Sequence, residues 1–212
     1  MKFAIVEDQI MFRALLRRLL VEDCKGEVVL EAGSLAEVRK LLDGLTMVDL
    51  LLLDIRLPDG DGIEFVEELN KSNVAIPVLL LSSSCDDYIV HRVNRSFAQG
   101  FVHKDDEPQM LLTAIQVVAA GGSFYSPRYE IKRREMAKAP DSFAKLLSPR
   151  EQELLRHLGT GYADAELASA LGLSVDTVKT HRRNVMTKLN LHTAQELQAY
   201  ALKTGFTTVD HL

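Results

Sequence analysis

The amino-acid sequence predicts an α/β domain built on a five-stranded parallel sheet, followed by a small all-α domain of four helices. Three observations carry this reading. Over residues 1–121, five short apolar runs alternate with five stretches of helical spacing. The last 65 residues instead hold four short helical patterns, several opened by a capping residue. Between the two lies a charged stretch, 128–145, interrupted by Pro140.

The elements follow in order. Residues 2–6 (KFAIV) are an apolar run of strand length, and 9–21 place apolar groups at helical spacing. A strand at 27–33 (EVVLEAG) precedes a helical pattern at 34–43. Apolar runs at 48–54 and 76–82 flank a helical stretch at 62–71. Pro77 stands at the start of its strand, where a missing N–H removes the least pairing. The last strand, 100–103, lies between helical segments 86–99 and 106–120. Strands alternating with helices read as βαβ units, and therefore as a parallel sheet. Gly121-Gly122 and Ser126-Pro127 end this block. The expected divisions are a first domain at 1–121, a linker at 122–145 with room for a short helix before Pro140, and a second domain at 146–212.

In the second domain, Ser148, Pro149 and Glu151 form an N-cap, a first-turn proline and the third-position acid of a capping box. Asp164 opens a helix that stops at Gly172. Ser174 caps the next and Thr193 the last, which ends at Gly205. The tight Gly172-Leu173-Ser174 turn between the second and third helices is a helix-turn-helix pattern.

Charge is uneven. Residues 1–126 carry a net charge of −8, residues 127–140 carry +3, and residues 141–212 are neutral. An acidic first half disfavours nucleic acid as its own ligand and suits a cation site. Two cysteines, Cys24 and Cys85, without metal-ligand spacing, indicate a reducing compartment rather than a disulfide framework. The N-terminus runs directly into a strand, and no run approaches the ~20 apolar residues of a membrane helix. These features predict a cytoplasmic protein with no membrane partner.

Chemistry gathers at the strand ends. Glu7 and Asp8 follow the first strand, Asp54 ends the third, Ser82 ends the fourth and Lys104 follows the fifth. In a parallel sheet all these ends lie along one edge, where open α/β sheets hold their ligands. Three carboxylates crowded there repel one another unless a cation joins them. Mg²⁺, a hard ion that prefers oxygen ligands, suits the set. Asp54 can then act as nucleophile towards a phosphoryl group. Lys104 supplies positive charge to the phosphoryl oxygens, and the Ser82 hydroxyl can donate to one of them.

With these residues in place, 1–121 resembles the receiver domain of bacterial two-component response regulators. The match is carried by Glu7-Asp8, Asp54 with LPDGDG, Ser82 and Lys104. The resemblance implies a flavodoxin-like (βα)5 fold, phosphorylation by a histidine kinase, and a Mg²⁺ site completed by the Arg56 carbonyl. It also places Phe101 at an aromatic switch position, where plain core packing is the alternative. Glu7 stands where aspartate is commoner, and Asp105 where many receivers have proline.

Helix 174–190, taken at 100° per residue, gathers Val175, Val178, Val185 and Leu189 into a core stripe. Thr180, Arg183 and Thr187 point the opposite way, Lys179 flanks them, and Arg182 lies nearer the core edge, within reach of a phosphate. Lys179, Arg182, Arg183 and Lys188 stand against the single acid Asp176. A basic outer face on the second helix of a helix-turn-helix suits the major groove. Residues 147–197 resemble the LuxR-type helix-turn-helix of the NarL/FixJ response regulators. The resemblance implies that Lys179, Thr180 and Arg183 are the main DNA-contacting positions. It also implies a homodimer on DNA, through the helix at 193–205 with its stripe of Leu197, Tyr200 and Ala201, a stripe that fits intramolecular packing equally well. The family usually carries a basic residue or Asn close to where Ala163 and the acid Asp164 stand.

The expected protein is thus a phosphorylation-dependent, DNA-binding transcriptional regulator whose partners are a sensor kinase and promoter DNA. Two rivals remain. A turnover phosphatase or phosphotransferase would use Asp54 as a covalent nucleophile, but Arg56 occupies the position of its acid/base carboxylate. A phosphorylation-independent DNA binder would carry a vestigial receiver.

Overall fold

The computed structural model describes residues 1–41, 45 and 47–207. It divides into two compact units, Met1–Cys85 with Arg92–Ile131, and Asp86–His91 with Lys132–Leu212.

The first unit is organised by its strands: β1 (Lys2–Val6), β2 (Glu27–Ala32), β3 (Leu50–Asp54), β4 (Arg56–Leu57), β5 (Gly60–Asp61), β6 (Val78–Ser82), β7 (Gly100–His103) and β8 (Phe124–Tyr125). Six of them form one sheet in the order β2-β1-β3-β6-β7-β8, every pair parallel. Its first five strands have the flavodoxin-like order. LLLLD in β3 and VLLLS in β6 are buried along their whole length, as interior strands covered on both faces must be. The edge strand β2 exposes several of its residues instead. The helices α1 (Ile10–Glu22), α2 (Leu35–Arg39), α3 (Gly62–Lys71), α4 (Asp87–Arg95) and α5 (Pro108–Ala119) follow the strands. Leu16 and Leu20 of α1 and Ile115 and Val118 of α5 share one core with Phe3, Ile5, Leu52 and Leu79 of the sheet.

The five expected strands are present, and β8 adds a sixth. Two residues are too few for periodicity to register. The helix expected at 34–43 is seen over Leu35–Arg39, and its positions 42 and 43 lie outside the described residues. The helix expected at 86–99 stops at Arg95, where Ser96 Oγ donates to the Val93 carbonyl at 2.9 Å. The helix expected from 106 begins at Pro108, because proline fits the first turn and needs no N–H acceptor. The stretch read as a linker holds β8 and two helices, α6 (Pro127–Lys138) and α7 (Phe143–Leu146).

The second unit contains α8 (Pro149–Gly159), α9 (Asp164–Leu171), α10 (Val175–Lys188) and α11 (Ala194–Thr204). Its local signals form as read. Ser148 Oγ accepts from the Glu151 amide, and Glu151 Oε2 accepts from the Ser148 amide, closing the capping box. Ser174 Oγ accepts from Thr177 N, and Thr193 Oγ1 from Glu196 N, each at 3.1 Å. Gly172 sits at φ +63°, a left-handed conformation that lets α9 stop and α10 start within three residues. Leu154, Leu158, Leu167, Val178, Val185, Leu197 and Ala201 form the core. One stripe residue departs from expectation: Val175, the first residue of α10, is 38% exposed, whereas Val178 and Val185 are fully buried.

Candidate functional site

β1 and β3 are neighbours in the sheet, and their C-terminal ends deliver Glu7, Asp8 and Asp54 to one place. Ligand oxygens of the three lie within 4.8 Å of one another. Glu7 and Asp54 are almost wholly buried, while Asp8 is exposed. The Glu7 amide donates to the Ala32 carbonyl at 3.0 Å, and Arg13 from α1 donates to the Glu7 carbonyl. These bonds fix the chain as it leaves the sheet. Lys104, carried just past β7, is anchored through its own amide to the Ser82 carbonyl at 2.8 Å. Its ammonium lies 2.7 Å from both Asp54 Oδ2 and Glu7 Oε2, and also donates to Glu7 Oε1 at 2.9 Å.

The electrostatics follow from burial. Desolvation pushes the Glu7 carboxyl up to about 7; the Lys104 hydrogen bond opposes the rise and the Asp54 charge adds to it. Burial likewise raises the Asp54 carboxyl, against the pull of Lys104 and the Arg56 amide. A buried acidic pair with one ammonium between them is a site short of positive charge. Glu7 Oε2 is buried, and among the described residues its near partner is the Lys104 ammonium at 2.7 Å. The clustered, all-oxygen donor set, with exposed Asp8 beside the buried pair, fits a hard divalent cation such as Mg²⁺. The Arg56 amide donates to Asp54 Oδ1 at 3.2 Å, so the backbone at this position wraps back onto the same carboxylate.

Gly62 holds the acidic loop close. A Cβ there would stand 2.2 Å from the Asp54 carbonyl oxygen, and the Gly62 amide donates to the Ile55 carbonyl at 2.8 Å. Asp61 caps α3 through the amides of Ile63 and Glu64 and is gripped by both terminal nitrogens of Arg92. Ser82 ends β6 fully buried, its Oγ accepting from Ser84 N at 3.1 Å. Phe101 is fully buried on β7, its ring 5.2 Å from that of Tyr129. Sequence periodicity could not have found Tyr129, since it lies in the stretch read as linker.

In the second unit, Lys179, Thr180, Arg183 and Thr187 are exposed along one face of α10. With Asp164, Arg182, Met186, Leu191 and His192 some of them line a shallow cleft of about 330 Å³. Arg182 does not stand free on this face. Its Nε donates to Asp164 Oδ1 at 2.8 Å and its guanidinium reaches the Tyr162 carbonyl, tying α10 to the start of α9. Lys188 is engaged as well, at 2.7 Å from the buried Glu151. Among the described residues, Lys179 and Arg183 are therefore the basic groups of the helix left without an ion-pair partner. Leu197 and Ala201 of α11 are fully buried in the unit's own core, so most of the stripe offered for dimer contact is internal.

Comparison with known proteins agrees with this geometry. Residues 3–116 match the response regulator receiver domain, and residues 145–201 match the bacterial regulatory proteins of the luxR family. The nitrate/nitrite response regulator protein NarP of Escherichia coli K12 is 33% identical over 189 residues, covering 88% of this chain and 87% of NarP. The response regulator protein VraR of Staphylococcus aureus is 29% identical over 202 residues, covering 95% of this chain and 96% of VraR. RcsB of Salmonella enterica serovar Typhimurium, solved bound to the rprA promoter with the phosphomimetic BeF3-, shares the fold. Its TM-score is 0.70 at 22% identity, over 94% of this chain and 97% of that one. The acidic site at the sheet edge and the capped helix-turn-helix have the same origin: the chain belongs to the two-component response regulators of the NarL/FixJ family, with a receiver and a LuxR-type DNA-binding domain.

Proposed function

We propose that Asp54 is the phosphoacceptor of a phosphorylation-dependent transcriptional regulator, and that a sensor histidine kinase is the donor. The observation that carries this reading is the Lys104 ammonium bridging Glu7 and Asp54 within a cluster of three carboxylates. An Asp54 oxygen attacks phosphorus, the bond to the donor imidazole breaks, and the phosphoryl group is held as an acyl phosphate. Lys104 neutralises a phosphoryl oxygen, and the Ser82 hydroxyl donates to another. Glu7, Asp8, Asp54 and the Arg56 carbonyl would hold Mg²⁺, which supplies charge neutralisation to the transferring group. The same residues serve the loss of phosphate to water, so the receiver resets itself without turning over an external substrate. Phe101 shifts with Ser82 between two receiver states.

The output is promoter DNA, contacted by Lys179, Thr180 and Arg183 in the major groove, with a homodimer spanning two half-sites. Arg182 joins them only by releasing Asp164. The domain limits fitting this division of labour are 1–121, 122–145 and 146–212. The regulator acts in the cytoplasm, where its promoter DNA lies; no helix among the described residues is long and apolar enough to cross a membrane. Incubation with acetyl phosphate and Mg²⁺, followed by intact mass measurement, tests the reading. One phosphoryl group should appear on the wild-type protein and none on Asp54→Ala. Equal labelling of both would sink it.

A further inference from the structure

We propose that Phe12 is a positioning residue for phosphotransfer, holding the Lys104 ammonium over the phosphoacceptor by a cation–π contact. This deepens the phosphoacceptor reading and rests on it. Lys104 Nζ lies 4.9 Å from the centroid of the Phe12 ring, within the range at which a ring face attracts an ammonium. Phe12 is half-buried on α1 and packed against the core, so its ring is held by the fold rather than swinging in solvent.

An ammonium has three donors. Among the described residues, those of Lys104 engage Glu7 and Asp54, and the Phe12 face is its further partner. Both carboxylates are groups the chemistry redeploys: Asp54 becomes the nucleophile and Glu7 is a cation ligand. The aromatic face is the partner that the reaction leaves untouched. Lysine has a four-carbon stem with freely rotating bonds, and without a fixed contact its charge wanders. At 6% side-chain exposure the ammonium has little water to replace a lost partner, so the ring contact is worth more than it would be at an open surface. The signal is invisible in sequence, because 92 positions separate Phe12 from Lys104 and nothing in either local pattern joins them.

The test is a double-mutant cycle on the full chain, reading the initial rate of acetyl-phosphate labelling at saturating Mg²⁺ by intact mass. Phe12→Leu keeps an apolar side chain and should slow labelling by about threefold to thirtyfold. Phe12→Tyr, which keeps the ring, should restore the rate. In a Lys104→Ala background, Phe12→Leu should have no further effect, whereas a merely structural loss would slow both backgrounds alike. Mg²⁺ affinity by calorimetry should be the same in wild type and Phe12→Leu. An unchanged rate in Phe12→Leu, or an equal loss in both backgrounds, overturns the proposal. Absence of Asp54-dependent labelling in the wild type would instead overturn the phosphoacceptor reading beneath it.

Discussion

Glu7 shows how one residue joins structure to condition. Its folded pKa of about 7 stands above the ordinary 4.5 because burial disfavours the charged form. The folded protein therefore keeps a proton that the unfolded chain releases between these values. Without metal, stability is greater below the unfolded pKa and declines as pH rises through the folded one. Mg²⁺ needs the carboxylate, so its apparent affinity should climb as pH is raised from about 6 to about 8. Calorimetric titration at several pH values would check this, and Glu7→Gln should flatten the dependence while weakening binding. Gly62 is a second residue with a definite expectation. A methyl group forced against the Asp54 carbonyl overpacks a rigid strand end, and Gly62→Ala should cost about 1–3 kcal/mol by denaturant unfolding. Glu7, Asp8, Asp54, Ser82 and Lys104 were legible because each follows an apolar run directly. Phe12, Tyr129 and the Arg182–Asp164 pair were not, since each meets its partner only when separate elements pack.

Elements were legible wherever termination is local. Ser148, Ser174 and Thr193 cap the helices they precede because a short side-chain oxygen reaches amides three residues on. Ser174→Ala should destabilise the second unit by about 0.5–2 kcal/mol in thermal unfolding, and should weaken DNA binding by fraying the start of α10. The basic groups of α10 divide by partner. The wheel sets Arg182 apart near the core edge, and both Arg182 and Lys188 hold α10 to α9 and α8. Asp164→Asn should loosen Arg182, raise DNA affinity and steepen the dependence of log Kd on log salt by about one unit. Titrations at several salt concentrations would show it, and an unchanged slope would leave Arg182 as a structural tie.

At the scale of the whole molecule, a cation-seeking acidic unit and a unit with a basic helix share one chain. Phosphorylation should raise affinity for promoter DNA in the wild type and leave Asp54→Ala unchanged, as read by mobility shift with and without acetyl phosphate. The same affinity in both states would favour the phosphorylation-independent binder.

The sequence by itself determined the alternation of strands and helices, the capped helix-turn-helix and the acids, hydroxyl and lysine at strand ends. These are local: apolar period, cap chemistry and turn residues act within a few positions. Tertiary structure decided the rest: that Lys104 bridges Glu7 and Asp54, that the Phe12 ring face lies 4.9 Å from its ammonium, and that β8 extends the sheet. It also decided that Arg182 is bound to Asp164 and that Val175 faces solvent. The physical reason is one of range. Pairing between charges and rings depends on distances that arise only when strands align and helices pack, and no periodicity along the chain encodes them.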